Sequence, residues 1–440
     1  MVCVMTTFAR RIGLFDATMI VMGGIIGSGI FMNPYVVARA VRTPVLILAT
    51  WAIGGVIAIV GAFIYAELSA RRPHVGGQYA YIREAYHPAV AFVYGWGLLL
   101  VTQTGGMAAV AVTFARYFTE LTHVRIADAG VASLALAALT AVNCLGVKAG
   151  SSVQSALMIM KIAAILLLVF CGLLFIPAAS DVSLQSGAAS QMSATAFGAA
   201  LIPVLFAYGG WQTANFIAGE VDAPERNLPR ALLLGVAGVV ILYLAVNVVC
   251  LRALSVDQLA ATTTPATDVM RKALGEAGAT LIAAGIAVST LGFLSQGILT
   301  APRVYYAMAN DGLFFKTIGS LDRRTKVPVA AVVLQGVFAI LITLSGRYEQ
   351  ILNYVVSVDF IFFGLAATCL FELRRRDARS NIHASFNVPG HPWTTVLFAV
   401  VCILVTFNTV YRYPENTLIG FAILAAGIPV YLLWKTRRIA

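Results

Sequence analysis

Charge is scarce in this chain: Asp, Glu, Lys and Arg make up 11% of its 440 residues, less than half the roughly 25% of an ordinary soluble domain. Acidic residues are the rarer sign, 19 against 30 basic. Histidine is rarer still, and the five present, His74, His87, His123, His383 and His391, show no ligand spacing such as HExxH. Six cysteines, Cys3, Cys144, Cys171, Cys250, Cys369 and Cys402, are scattered without a CxxC pair. That pattern supports neither a disulfide framework nor a zinc site, and no cofactor is expected. No Ser/His/Asp set or paired carboxylates stand at catalytic spacing, so an enzyme is not expected.

Apolar residues fill the space that charge leaves. The chain is 60% hydrophobic with a mean hydropathy of +0.87, and runs of the roughly 20 residues needed to cross a bilayer recur along it. About twelve are legible, near 14–41, 45–69, 85–119, 128–146, 149–176, 194–219, 229–252, 276–309, 328–345, 350–373, 394–411 and 415–434. The expectation is an all-α polytopic membrane protein. Two arginines precede the first run, but no cleavage site leads to a polar mature sequence, so a cleaved signal peptide is not expected.

Lysine and arginine set the expected orientation. With the amino terminus inside, the inner connections hold Arg10, Arg11, Arg71, Arg72, Arg83, Lys148, Arg226, Arg230, Lys316, Arg323, Arg324, Lys326, Arg374, Arg375, Arg376, Arg379, Lys435, Arg437 and Arg438. The outer ones hold about half as many: Arg39, Arg42, Arg116, Arg125, Arg252, Arg271, Lys272, Arg347 and Arg412. Both termini are therefore expected in the cytoplasm, with the chain in the cell's inner (plasma) membrane. Basic loops facing anionic membrane lipid account for the net charge of +11, and no nucleic-acid partner is needed.

Glycine is abundant where a helix should least want it. "GGIIGSGIF", Gly23–Phe31, interrupts the first apolar run, and each glycine costs roughly 1 kcal/mol against alanine in a helix interior. A second interruption, "FAYGGWQTANF", follows Pro203 in the sixth run; Gly27 and Gly209 are 182 residues and five runs apart. Five is odd, so the second copy is inverted, and paired breaks in inverted repeats point to a transporter's central site. Unwinding exposes the amides of Ser28, Gly29 and Ile30 at a helix start, which suits a carboxylate. The carbonyls of Ile25, Ile26, Phe206 and Ala207 can accept from an ammonium group. Together they suit a zwitterionic amino acid; the competing reading is glycine-mediated helix packing.

Those two stretches, with "YAEL" (65–68), "GGQYAYIREAY" (76–86), "VQSALMIMK" (153–161), "RVYYAMANDGL" (303–313) and "FNVPGHPW" (386–393), resemble the amino acid-polyamine-organocation transporter superfamily. They look most like the L-type amino-acid transporters and their bacterial relatives. The resemblance implies discontinuous helices one and six in a five-plus-five inverted repeat: helices one to five over 1–176, six to ten over 194–373, and two further helices with a short cytoplasmic tail over 394–440. It implies alternating access, with Ile25 to Ile30 and Phe206 to Gly209, including Tyr208, around the substrate. Phe206 would be an aromatic lid, and Gly209 with Trp211 would shape a side-chain pocket favouring neutral substrates.

Charged residues inside apolar runs are functional candidates by default. Lys161 lies 13 residues beyond Lys148, roughly 20 Å along a helix. By resemblance it stands where sodium sits in sodium-coupled relatives, bridging helices one and five. Sodium-independent transport follows, with Lys161 a fixed cation, a proton-coupling switch or a vestibule residue. Asp359 departs from the usual uncharged residue of the L-type pattern: it suits a cationic or hydroxylated side chain, a coupling proton or an aqueous vestibule. Glu220 is expected to pair with a neighbouring loop arginine or to act at an inner gate, and Arg303 to snorkel or pair at that gate. Gln103, flanked by Thr102 and Thr104, offers polar groups to the site.

The sequence thus predicts a sodium-independent L-amino-acid transporter working by alternating access, an exchanger of neutral amino acids. A proton-coupled symporter, an exchanger of cationic amino acids or polyamines, and a non-transporting receptor remain alternatives. No cysteine lies between the third and fourth runs to link an accessory subunit, so none is expected.

Overall fold

The computed structural model describes residues 8, 10–177, 194–345, 348–412 and 414–437. Cys3, Arg347 and Arg438 lie outside the described residues. The first apolar run forms two helices, α1 (Leu14–Ile25) and α2 (Gly29–Val41), separated by Ile26–Ser28. Then follow α3 (Pro44–Arg71), α4 (Gln78–Ala85) and α5 (Pro88–Gly97). A π-helical turn, Leu98–Thr102, joins α5 to α6 (Gln103–Thr122). Next come α7 (Asp128–Cys144), α8 (Val147–Leu174) and α9 (Ala194–Tyr208).

Beyond Gly209 and Gly210 the chain continues as a 3-10 segment, Trp211–Glu220, and then α10 (Pro224–Ala253) and α11 (Val256–Ala261). The last third holds α12 (Pro265–Thr300), α13 (Pro302–Asn310), α14 (Val329–Leu344), α15 (Tyr348–Arg379), α16 (Trp393–Arg412) and α17 (Pro414–Arg437). Prolines open α3, α5, α10, α12 and α13, where a missing amide proton leaves nothing unpaired. Among the described residues no strand forms; Ile12 and Val221 make an isolated parallel bridge.

Eight segments are long and apolar enough to cross a membrane, and α7 and α14 are shorter apolar helices. Two expected crossings have different limits. The run beginning at 85 is divided at Tyr86–His87, so α4 is a separate helix lying before the crossing. The run beginning at 276 belongs to a helix that starts at Pro265 and bends at Gly275, whose φ is +67°.

Burial separates centre from periphery. In the segment Pro88–Thr122, 78% of the most apolar window is buried by protein, against 22% in Pro414–Lys435. The α5–α6 crossing is therefore central, while α17 leaves most of its surface uncovered by the rest of the chain. The halves of the first helix diverge: α1 packs on α10 and α8, and α2 on α9 and α11. The break is held from different sides.

Candidate functional site

The two interruptions meet backbone to backbone. Gly210 has φ +103°, in the left-handed region, and a Cβ there would fall on the Gly24 carbonyl. A Cβ on Gly24 would lie 2.6 Å from the Gly210 carbonyl oxygen. Only glycine at both positions permits this approach. Around it lies a cavity of about 90 Å³, room for roughly half a dozen water-sized groups.

Five elements line that cavity: Gly24, Ile25 and Gly27–Gly29 of the first break; Leu98, Thr102, Gln103, Gly106 and Val110 of the π turn and α6; Leu205–Ala207, Gly209, Gly210, Gln212 and Thr213 of the second break; Phe293 and Gln296 of α12; and Val355, Asp359, Phe360 and Phe363 of α15. The amides of Gly27, Ser28, Gly29 and Ile30 donate to no backbone carbonyl among the described residues. They form the free, positive end of α2.

The opened carbonyls are held by side chains. Lys161 Nζ, fully buried on α8, donates to the Ile26 carbonyl. Tyr243 of α10 donates to both breaks, reaching Ile25 O at 3.2 Å and Ala207 O at 3.3 Å. Thr213 Oγ1 donates to Gly210 O at 2.6 Å and accepts from Gln296 Nε2 at 2.6 Å. Sequence reading missed Tyr243 and Gln296. The available signal was a hydroxyl or an amide in an otherwise apolar run, which needs a partner once buried.

Of the residues expected at the site, Ile25, Gly27, Ser28, Gly29, Gln103, Phe206, Ala207, Gly209 and Asp359 line the cavity. Ile26, Ile30, Tyr208 and Trp211 do not. Ile26 and Ile30 are fully buried. Tyr208 packs between Trp51 and Tyr243, with ring centroids 5.8 and 5.0 Å away. Trp211 stands edge-on to Tyr65 at 4.8 Å and lies behind Phe363 at 5.6 Å, so Phe363 presents the aromatic surface to the cavity.

Glu220 sits away from the cavity, at the face carrying the N-terminal segment. It binds Arg303 Nε at 2.6 Å, with both side chains buried. This corrects the expectation of a surface pair with a loop arginine: α13 carries Arg303 across to the end of the 3-10 segment, where only a charged partner offsets the desolvation of Glu220. The Glu220 backbone carbonyl accepts from Arg11 N at 2.9 Å and Ile12 N at 3.0 Å, and Ile12 O accepts from Asp222 N at 2.9 Å. The N-terminal segment is thereby tied across this face.

A second charged cluster on the same face escaped sequence reading. Buried Glu67 accepts from Arg71 and Arg374 at 2.7 and 2.6 Å. Asp377 binds Arg71 at 2.6 Å and Arg72 at 2.7 Å. Burial pushes the Asp377 carboxyl up, but hydrogen bonds from Arg72 and Arg71 outweigh it and hold it below the usual carboxylate range. Among the described residues no group of three or more His, Cys, Asp or Glu is placed to hold a metal ion.

A helical membrane protein whose two interrupted helices meet at a mid-bundle cavity has the architecture of a secondary carrier. The amino acid permease family profile matches residues 12–434, and the chain belongs to that family. It is therefore a multi-pass membrane transporter and not an enzyme. It is 27% identical to the Homo sapiens cystine/glutamate transporter, over 97% of this chain and 85% of that protein. It is 28% identical to the Homo sapiens large neutral amino acids transporter small subunit 2, over 96% of this chain and 80% of that protein. Against the Homo sapiens b(0,+)-type amino acid transporter 1 the identity is 27%, over 98% and 88%.

Proposed function

We propose that this protein is a sodium-independent exchanger of L-amino acids in the cell's inner membrane, working by alternating access with both termini in the cytoplasm. The observation that carries this reading is the pairing of free amides at the start of α2 with a touching second break, around one cavity. A substrate carboxylate takes the amides of Gly27 to Ile30. Its ammonium takes the remaining lone pairs of Ile25, Phe206 and Ala207, with Phe206 over it. The two breaks belong to inverted repeats over 1–176 and 194–373, with 394–440 outside them.

Sodium-independence is supported by Lys161. Its ammonium already supplies a positive charge to the Ile26 carbonyl, so a tethered cation stands where a free one would otherwise be useful. The tie of Ile12 to Glu220 and Asp222, with the Glu220–Arg303 pair, closes the N-terminal face. Reaching that side requires breaking these contacts, and bound substrate lowers the barrier in an exchanger. Function without a disulfide-linked partner is supported by the connection between α6 and α7, which contains no cysteine.

Uptake of radiolabelled L-amino acids into proteoliposomes tests the reading. Uptake that requires internal amino acid and ignores both sodium and an imposed proton gradient is the expected result. Uptake into empty liposomes driven by a proton gradient would replace exchange with symport.

A further inference from the structure

Asp359 is the charged residue in the cavity lining, and no lysine, arginine or histidine accompanies it there. It is half-buried and has no ion-pair partner among the described residues; Lys161 is committed to Ile26 on another helix. Its neighbours are the Thr102 hydroxyl and Tyr94, neither of which carries a positive charge. A carboxyl group partly withdrawn from water is either protonated or paired, and the cavity lining holds no cation to pair this one, which leaves a substrate cation free to do so.

Its place in the fold says which counter-charge fits. The amides that suit a substrate carboxylate come from the first break, held by α8, α9 and α10. Asp359 comes from α15, which packs on α6 and the π turn as well as on α16 and α17. The π turn presents Thr102 beside Asp359, and Gln103, the first residue of α6, lines the same cavity. An amino acid seated on the amides has its α-ammonium one carbon away, beside the opened carbonyls of Ile25 and Ala207. Asp359 stands on a different wall of the same cavity, carried by α15, and is left for the other end of such a molecule, its side chain.

We infer that Asp359, flanked by Thr102 and Gln103, is a specificity residue that admits L-amino acids with an ammonium on the side chain: the diamino acids. The inference rests on the amino-acid transport reading above and names a substrate class for it, the cationic amino acids. Asp359 positions the side-chain ammonium by charge, while the breaks hold the part common to all amino acids.

The test is exchange in proteoliposomes with labelled L-leucine and L-ornithine, for the wild type, Asp359→Asn and Asp359→Glu. Expected are ornithine transport by the wild type, an ornithine-to-leucine uptake ratio lowered about tenfold or more in Asp359→Asn, and partial recovery of that ratio in Asp359→Glu. Because the readout is a ratio within one preparation, a poorly folding variant does not mimic it. Leucine exchange with no ornithine transport or competition in the wild type would overturn the inference. So would equal loss of both substrates in well-folded Asp359→Asn, which would place the carboxylate on the α-ammonium, or proton-driven uptake abolished by that substitution, which would make it a proton carrier. Absence of transport for every amino acid would instead sink the underlying reading.

Discussion

Lys161 Nζ, fully buried on α8, donates a hydrogen bond to the carbonyl oxygen of Ile26, the last residue before the first helix loses its regular ladder. A long lysine side chain thus occupies a backbone acceptor that the break itself creates. Gly292 of α12 lies alongside, where an added Cβ would stand 3.3 Å from the ammonium nitrogen. The pin therefore links three helices.

Replacing Lys161 with alanine leaves the Ile26 carbonyl without its donor, a loss of about 1–3 kcal/mol for a buried polar group. Substrate exchange is expected to fall at least about tenfold, with a lower melting temperature in detergent. Lys161→Gln, which keeps a donor, is expected to retain more stability than Lys161→Ala. Wild-type exchange in Lys161→Ala would show that the pin is idle in transport.

The Glu220–Arg303 pair predicts an asymmetry between single and double substitution. Removing one partner strands the other charge in a buried site, a loss of about 3–5 kcal/mol. Glu220→Ala and Arg303→Ala should each lower the melting temperature sharply and increase thiol labelling of a cysteine placed at Thr213 from the N-terminal side. Glu220→Gln with Arg303→Met should be less destabilised than either single variant. Additive losses in the double variant would mean that the two residues are not energetically coupled.

Glycine at the contact between the breaks is expected to be irreplaceable. In Gly210→Ala the side chain meets both a positive φ and the Gly24 carbonyl. Gly24→Ala meets the Gly210 carbonyl in the same way. Each should reduce exchange at least about tenfold. Gly238→Ala on α10, where the nearest atom is Met22 Cε at 3.6 Å, makes an ordinary contact and should be tolerated. Full exchange in Gly210→Ala would show that the two backbones need not touch during the cycle.

Asp377 gives a pH prediction with a definite sign. Its folded-state affinity for protons is lowered, so its contribution to stability is present above the unfolded carboxylate value of about 3.9 and is lost as pH falls through the lower folded value. The wild type should therefore lose melting temperature on acidification below about pH 4 more steeply than Asp377→Asn. The substitution should be destabilising at neutral pH. Parallel acid profiles for the two proteins would remove Asp377 from the linkage.

The breaks were legible because they violate a local rule: glycine clusters have no reason to interrupt apolar helices except tertiary ones. Lys161 and Asp359 stood out for the same reason, as charges in runs that exclude charge. Tyr243 was not legible. One tyrosine in an apolar run looks like any other until the fold brings the carbonyls of Ile25 and Ala207 within reach of its hydroxyl. Nor could the sequence say that Trp211 turns toward Tyr65 and leaves Phe363 facing the cavity. Both aromatics satisfy the same composition pattern.

Composition and run length by themselves determined that this chain is a helical membrane protein, since a scarcity of charge over successive bilayer-length runs admits few alternatives. Paired glycine breaks an odd number of runs apart determined where its centre would lie. Partner choice was decided only in three dimensions. Glu220 pairs with Arg303 although 83 residues separate them, and Glu67 with Arg374 across 307. Helical periodicity fixes which face a residue occupies on its own helix, whereas the identity of the facing helix depends on how the whole bundle packs, and buried charges take whatever counter-charge that packing delivers.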